Sequence, residues 1–332
     1  MNRHQLKEIC VSKRLFGALL TGLALTFAIA ACGSSSDDSS STSSSGGGDL
    51  SGSIRIDGSS TVGPLTQAVA EKFKEENPGV DITVGQSGTG GGFEKFCAGE
   101  TAINDASREI EPEEAAACKK AGIAFDDTQV ANDALTIVLN PTNPNVCLSV
   151  DQLGEIWGPD NTASNWADVK GADSSFSADI QRFGPGTSSG TFDYFTDAIN
   201  GEEGVQTKDY NNVGEDDNQT VTGVEGSEGG IGYFGFSYFQ ENASGLKAAE
   251  VENDKGDCVA PSEASVQDGT YTPLARPLFV YPAATALKEP AVKAFVDYYV
   301  ENVNEIAPAV GFIPMTDAQL RKAEAAVAGL AG

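Results

Sequence analysis

Gly186-Thr187-Ser188-Ser189-Gly190-Thr191-Phe192-Asp193-Tyr194-Phe195 is a hydroxyl-rich, glycine-rich turn that runs straight into an aromatic helical pattern. Ser188 or Ser189 is a natural N-cap, and the amides of the first helical turn have no partner inside the helix. The helix dipole is positive at that end and glycine admits close approach, so the stretch is a candidate anion site. Just upstream, residues 179–183 form the strand that feeds it.

The same grammar recurs nearer the N-terminus. Residues 53–57 alternate as a strand, Ser59-Ser60-Thr61 turns, and Pro64 opens a helix in which Leu65, Val69 and Phe73 recur at helical spacing. A second strand, residues 80–84, leads through Ser87-Gly88-Thr89-Gly90 into a short helix with Phe93 and Phe96 facing inward. A third, residues 101–106, ends at Ser107-Arg108, and Glu111-Pro112-Glu113-Glu114 opens the next helix with acidic residues at its positive end. Repeated strand-to-helix turns of this kind are an α/β signature, with ligand groups gathered at the carboxyl ends of strands.

Further along, residues 149–157 pattern as a serine-capped amphipathic helix and residues 228–236 as a buried, glycine-rich strand. Residues 291–303 and 316–328 pattern as helices, the first with Val292, Phe295, Val296 and Tyr299 on its inner face. Two apolar runs, Leu135 to Leu139 and Leu274 to Tyr281, are expected to cross between two lobes. The expected division is residues 51–134 with 276–332 as lobe I, and residues 135–275 as lobe II. At 332 residues and 40% hydrophobic, the chain can fill two such cores.

The first 31 residues differ. Arg3, Lys7, Lys13 and Arg14 precede an apolar stretch that ends in Ile29-Ala30-Ala31-Cys32, which reads as a secretory signal. The serine and glycine tract that follows, within residues 32–50, has almost nothing to pack and is expected to be a tether. The formal net charge is −27; removing a leader of four Lys/Arg and one Glu, worth +3, leaves −30. So acidic a surface excludes nucleic acid as a partner. It does not exclude a small anion, because screening removes the long-range field and a recessed site is governed by the dipoles that touch the ligand.

Setting aside Cys10 and Cys32 leaves four cysteines of the six, which in an exported chain implies two disulfides. Cys97 with Cys118 and Cys147 with Cys258 are favoured among the three connectivities, since each pair then lies within one lobe. The only histidine, His4, belongs to the leader, so the mature chain has no Ser-His-Asp triad and no histidine zinc site. Ser244-Gly245-Leu246-Lys247 matches S-x-x-K without its companion motifs, and the pairs Asp126-Asp127 and Asp216-Asp217 read as solvated loops. No catalytic residue, metal ligand or cofactor is expected. Uncharged O–H and N–H donors at several strand-to-helix turns, with Arg108 as a planar cation, fit a small tetrahedral oxyanion better than a nucleotide.

D-G-S-S-T-V-G-P-L (57–65), G-Q-S-G-T-G-G-G-F (85–93), N-D-A-S-R-E-I (104–110), G-P-G-T-S-S-G-T-F-D-Y-F (184–195) and G-I-G-Y-F-G-F (230–236) together resemble the phosphate-binding proteins of bacterial phosphate ABC transporters. The resemblance implies a type II periplasmic-binding-protein fold, with phosphate in the cleft between two α/β lobes and two crossing strands as the hinge. It implies ligand contacts from Ser60, Thr61, Val62 (through its backbone N–H), Thr89, Gly90, Ser107, Ser189, Gly190 and Thr191. I-A-A-C resembles the bacterial lipobox, which implies a lipid on Cys32. Two positions depart from the family. Arg108 stands where better-known members have an aspartate, and Pro185 where they have an arginine, with Arg182 displaced by three residues. Arg108 is therefore expected to supply the guanidinium, and Asp57 or Asp193 to accept the proton of the ligand. The expected protein is a monomeric, lipid-anchored, extracytoplasmic phosphate-binding protein that delivers inorganic phosphate to a membrane permease. Binding of sulfate, molybdate or an organic anion, or hydrolysis of a phosphate ester, are the alternatives.

Overall fold

A computed structural model of the chain describes residues 50–160, 163–242 and 244–331. The signal segment, Cys32 and the tether lie outside the described residues, apart from Leu50.

The first third follows the strand, turn, helix rhythm: β1 (Gly52–Gly58), α1 (Gly63–Glu76), β2 (Val80–Val84), α2 (Thr89–Cys97), β3 (Ile103–Ala106) and α3 (Pro112–Ala121). A long strand, β4 (Thr128–Leu139), leads to β5 (Cys147–Leu148), α4 (Val150–Trp157), β6 (Gln181–Gly184), α5 (Gly190–Asn200), β7 (Asn211–Asn212), α6 (Asp217–Glu225), β8 (Gly230–Gly235) and α7 (Phe236–Asn242). Short strands β9 (Lys247–Ala248), β10 (Glu250–Glu252) and β11 (Cys258–Val259) precede α8 (Glu263–Gln267). The chain then returns through β12 (Ala275–Pro282) to α9 (Pro290–Ile306) and α10 (Asp317–Ala331).

The main sheet has nine strands in the order β2-β1-β3-β12-β4-β8-β6-β7, with β9 also on β4. β1 pairs parallel with β2 and β3, as helical crossovers require, so their carboxyl ends share one edge. β12 is antiparallel to both β3 and β4. β4 changes partner midway: Thr128 to Ala134 face β12, and Leu135 to Leu139 face β8.

Two large cores lie on either side of that change. Ile54, Val69 and Phe73 pack with Phe295, Val296 and Tyr299 in one; Leu135, Trp157, Phe195 and Tyr233 pack in the other. Fully burying one such side chain contributes about 1.5 to 3 kcal/mol. Ile313, from the C-terminal segment, joins the second core rather than the first. The disulfides are Cys97 with Cys118 and Cys147 with Cys258, as favoured from the sequence.

β4 begins seven residues before the apolar run that announces it. Asn132 and Asp133 break the hydrophobic pattern, yet both are buried. Asn132 accepts from Gln129 and exchanges hydrogen bonds with Gln319, and Asp133 pairs with Arg276 directly across the ladder, so their polarity is satisfied within the protein.

Candidate functional site

A cleft of about 870 Å³ opens where the carboxyl edge of β1, β2 and β3 meets the start of α5. Among the residues expected at the site, Ser60, Thr61, Thr89, Gly90, Ser107, Arg108 and Gly190 line it.

Each strand-to-helix turn holds itself in shape. The Ser59 hydroxyl accepts the N–H groups of Thr61 and Val62 at 3.2 and 3.3 Å, which fixes the turn leading into α1, and the Ser60 and Thr61 side chains lie on the cleft wall. Val62, fully buried, lies behind that wall and has its N–H occupied by Ser59. Gly92 has no room for a side chain, since a Cβ there would lie 2.5 Å from the Gly58 Cα; α2 therefore seats tightly on the end of β1. The Thr89 and Ser107 hydroxyls meet at 3.1 Å, which joins the second turn to the end of β3. On α5, buried Ser189 is the N-cap and its hydroxyl accepts from the Thr191 N–H at 3.3 Å; neither side chain lines the cleft.

The starts of α1 and α5 converge. A Cβ on Gly190 would stand 2.9 Å from the Thr61 Oγ1 and 3.6 Å from the Thr61 backbone, so the two turns touch where only glycine fits without displacement. Two helix starts that are distant in sequence, each the positive end of its dipole, are thereby brought to one place beside the cleft.

The cations differ from the sequence expectation. Arg108 lines the cleft, but its Nη1 and Nη2 donate to the two carboxylate oxygens of Glu114 at 2.9 and 2.8 Å, and Nε lies 3.5 Å from Glu111. Arg182 is buried, with Nε donating to the Ile156 carbonyl at 2.6 Å, Nη2 to the Ala163 carbonyl and Nη1 to Asp209, so it serves the core. Arg276, on β12, lines the cleft and carries no local motif that marks it in the sequence. Its Nε donates to Asp133 at 3.2 Å, its Nη2 to the Thr61 Oγ1 at 3.0 Å, and its Cζ lies 3.6 Å from the Tyr194 ring centroid.

The two candidate acceptors separate. Asp57 accepts from the Ser87 N–H and hydroxyl and from Lys95 at 2.6 Å, and it does not line the cleft. Burial works against its ionisation, but the Lys95 and Ser87 bonds outweigh that and hold it below the ordinary carboxylate range. Asp193 lines the cleft with Glu203, and burial together with that neighbouring carboxyl raises its pKa to about 6 against the opposing pull of Arg276. Beneath the first turn, Asp105 is fully enclosed, accepts from the Thr66 hydroxyl at 2.9 Å, and is pushed by burial to a pKa of about 8.

Residues 43–303 match the family model of the PBP superfamily domain. A protein named SphX from Synechococcus elongatus is 46% identical over 265 residues, covering 79% of this chain and 77% of its own length. The chain belongs to this family. The phosphate-binding protein PstS of Staphylococcus saprophyticus is 34% identical over 304 residues, covering 91% of this chain and 90% of its own. Among solved structures, one described as a possible phosphate binding protein from Planctomyces limnophilus superposes with a TM-score of 0.80 at 43% identity, covering 85% of this chain and all of its own. The nine-stranded sheet and its cleft are thus the periplasmic-binding-protein fold expected from the motifs.

Proposed function

We propose that the chain captures inorganic phosphate in the cleft and hands it to the permease of an ABC transporter. The observation that carries this is the meeting of the α1 and α5 starts at Thr61 and Gly190, in a cleft that also presents Ser60, Thr89 and Ser107 and the cation Arg276. The PstS relative is by name a phosphate-binding protein, which supports phosphate as the anion. The chain acts by binding and release and is not an enzyme.

Ser60, Thr61, Thr89, Gly90, Ser107 and Gly190 are the proposed ligand shell, with Val62, Ser189 and Thr191 behind it shaping the two helix starts; Arg108, spent on Glu114, is left out of it. Val62 contributes only if its N–H exchanges the Ser59 hydroxyl for the ligand. Asp193 is the proposed acceptor of the ligand proton, because it faces the cleft while Asp57 is consumed by Lys95 and Ser87. An ionised acceptor favours phosphate, which keeps a proton near neutral pH, and repels sulfate, which does not.

The same proposal divides the described chain into two lobes, residues 51–134 with 276–332 and residues 135–275, hinged where β4 and β12 cross. The partner change of β4 at Leu135 supports that boundary. Donors on both lobes reaching one anion would stabilise the closed arrangement relative to the open one. The leader, the lipid on Cys32, the extracytoplasmic location and the monomeric state belong to this proposal; among the described residues, no helix is long and apolar enough to cross a membrane. Calorimetric titration with phosphate, arsenate, sulfate and molybdate tests it. Tight phosphate binding with weak sulfate binding is expected, and absence of phosphate binding refutes it.

A further inference from the structure

We propose that Arg276 is the guanidinium that grips the anion, with Asp133 and Tyr194 holding it in position. The assignment rests on the anion-binding function proposed above and names its principal cation.

Three observations converge on this residue. The first is placement. Arg276 sits on β12 directly opposite Asp133 on β4, at the crossing of the two halves, and its side chain reaches Thr61 from the α1 turn and Tyr194 from α5. One guanidinium thereby touches both elements whose starts converge at the cleft.

The second is restraint. Asp133 takes the Nε edge, the Tyr194 ring covers one face, and Tyr194 is itself anchored by its hydroxyl donating to the Pro273 carbonyl at 2.8 Å. The side chains of Arg276 and Asp133 are only 16% and 10% exposed, so the pair is shielded from water on most sides. A planar fork held this way has little conformational freedom left to lose on gripping a tetrahedral oxyanion.

The third is unused capacity. Arg182 shows what a structural arginine looks like in this protein, with Nε, Nη1 and Nη2 all committed to carbonyls or a carboxylate. Arg276 differs: among the described residues Nε and Nη2 are bonded, and Nη1 makes no hydrogen bond although the residue lines the cleft. Arg108 has the opposite disposition, both Nη atoms being spent on Glu114. An arginine with a free donor edge in a recess is the better anion ligand, since it need not break an existing bidentate pair.

The test is titration of the full chain with inorganic phosphate, comparing wild type with Arg276→Ala, Arg276→Lys and Arg108→Ala, each also checked for its unfolding midpoint without phosphate. Arg276→Ala is expected to lose about a hundredfold or more in affinity, the scale for removing one partner of a shielded charged contact. Arg276→Lys should lose less, because it keeps the charge without the fork, and Arg108→Ala should stay within about threefold, because its guanidinium is already committed to Glu114. Added free guanidinium should restore part of the affinity of Arg276→Ala, which a merely structural role would not produce. A folded Arg276→Ala that binds like wild type, or an Arg108→Ala that loses as much as Arg276→Ala, overturns the assignment. Should Arg276→Ala not fold, wild type decides. The guanidinium resonance of Arg276, identified by its loss in Arg276→Lys, must shift on phosphate addition, and an unmoved resonance overturns the assignment. A wild-type chain that binds sulfate or molybdate but not phosphate refutes the phosphate proposal alone; the same variants titrated with that anion then decide on Arg276.

Discussion

Gly190→Ala isolates the contact on which the site depends. Gly190 opens α5 without a left-handed backbone angle, so alanine is compatible with the main chain and the substitution acts through its Cβ alone. That Cβ would lie 2.9 Å from the Thr61 Oγ1, where ordinary contact begins at 3.4 Å, so one turn must give by about half an ångström. Thr61 cannot rotate away freely, because its Oγ1 accepts from Arg276 at 3.0 Å. Losing that hydrogen bond to a charged group costs about 1.5 to 3 kcal/mol, whereas alanine regains less than about 1 kcal/mol in helix propensity at a first-turn position. If the turns separate instead, the α1 and α5 starts are held apart and the anion loses contacts on one side. Either route predicts a phosphate affinity roughly tenfold to a hundredfold weaker, with the fold intact. Calorimetric titration beside thermal unfolding measures both. A double-mutant cycle sharpens the test: Thr61→Ala removes the obstructing oxygen, so Gly190→Ala should cost little more in that background. Equal losses from Gly190→Ala in both backgrounds, or unchanged affinity in the single variant, would refute the reasoning.

Asp105 is neutral in the folded protein up to a pKa of about 8, whereas its ordinary value is 3.8, so the native state holds the extra proton between those limits. Stability should therefore fall as pH rises from about 4 to about 8, and Asp105→Asn should flatten that decline; a variant whose unfolding midpoint tracks wild type across the window would exclude it. Asp193 behaves alike over a narrower range, its proton being held up to about 6. Asp193→Asn should gain stability above that pH and raise sulfate affinity relative to phosphate, and an unchanged phosphate-to-sulfate ratio would remove Asp193 as the acceptor. The two disulfides close loops of very different length, with separations of 21 and 111 residues. In the chain-entropy description, Cys147→Ser with Cys258→Ser should cost about 1.5 kcal/mol more than Cys97→Ser with Cys118→Ser. Urea unfolding compares them, and a reversed order would show that strain or residual denatured-state structure dominates.

What could be read from the chain alone was local or combinatorial. β1, β2 and β3 with their helices were legible because hydrophobic period, proline and Ser/Thr/Gly punctuation act within a few residues of one another. The capping serine of α5 and the inner face of α9 were legible for the same reason. Even the disulfide pairs followed from partitioning four cysteines between two proposed cores. The first half of β4 was hidden because Asn132 and Asp133 look like loop residues until their partners, Gln319 and Arg276, arrive from the far end of the chain. The choice between Asp57 and Asp193 also needed coordinates, since only position relative to Lys95 and the cleft separates two aspartates that each neighbour a glycine-rich turn.

The opening stretch shows the division most clearly. Gly186 to Phe195 determined by itself that a capped helix begins there with free amides, because capping is settled by neighbours along the chain. Which groups face those amides was decided by the tertiary structure, which brings Thr61 against Gly190 and sets Arg276 between them and Asp133. A lone arginine in an apolar strand has no sequence signature of a ligand. Its role depends on what lies within a few ångströms, and only the folded chain sets that distance.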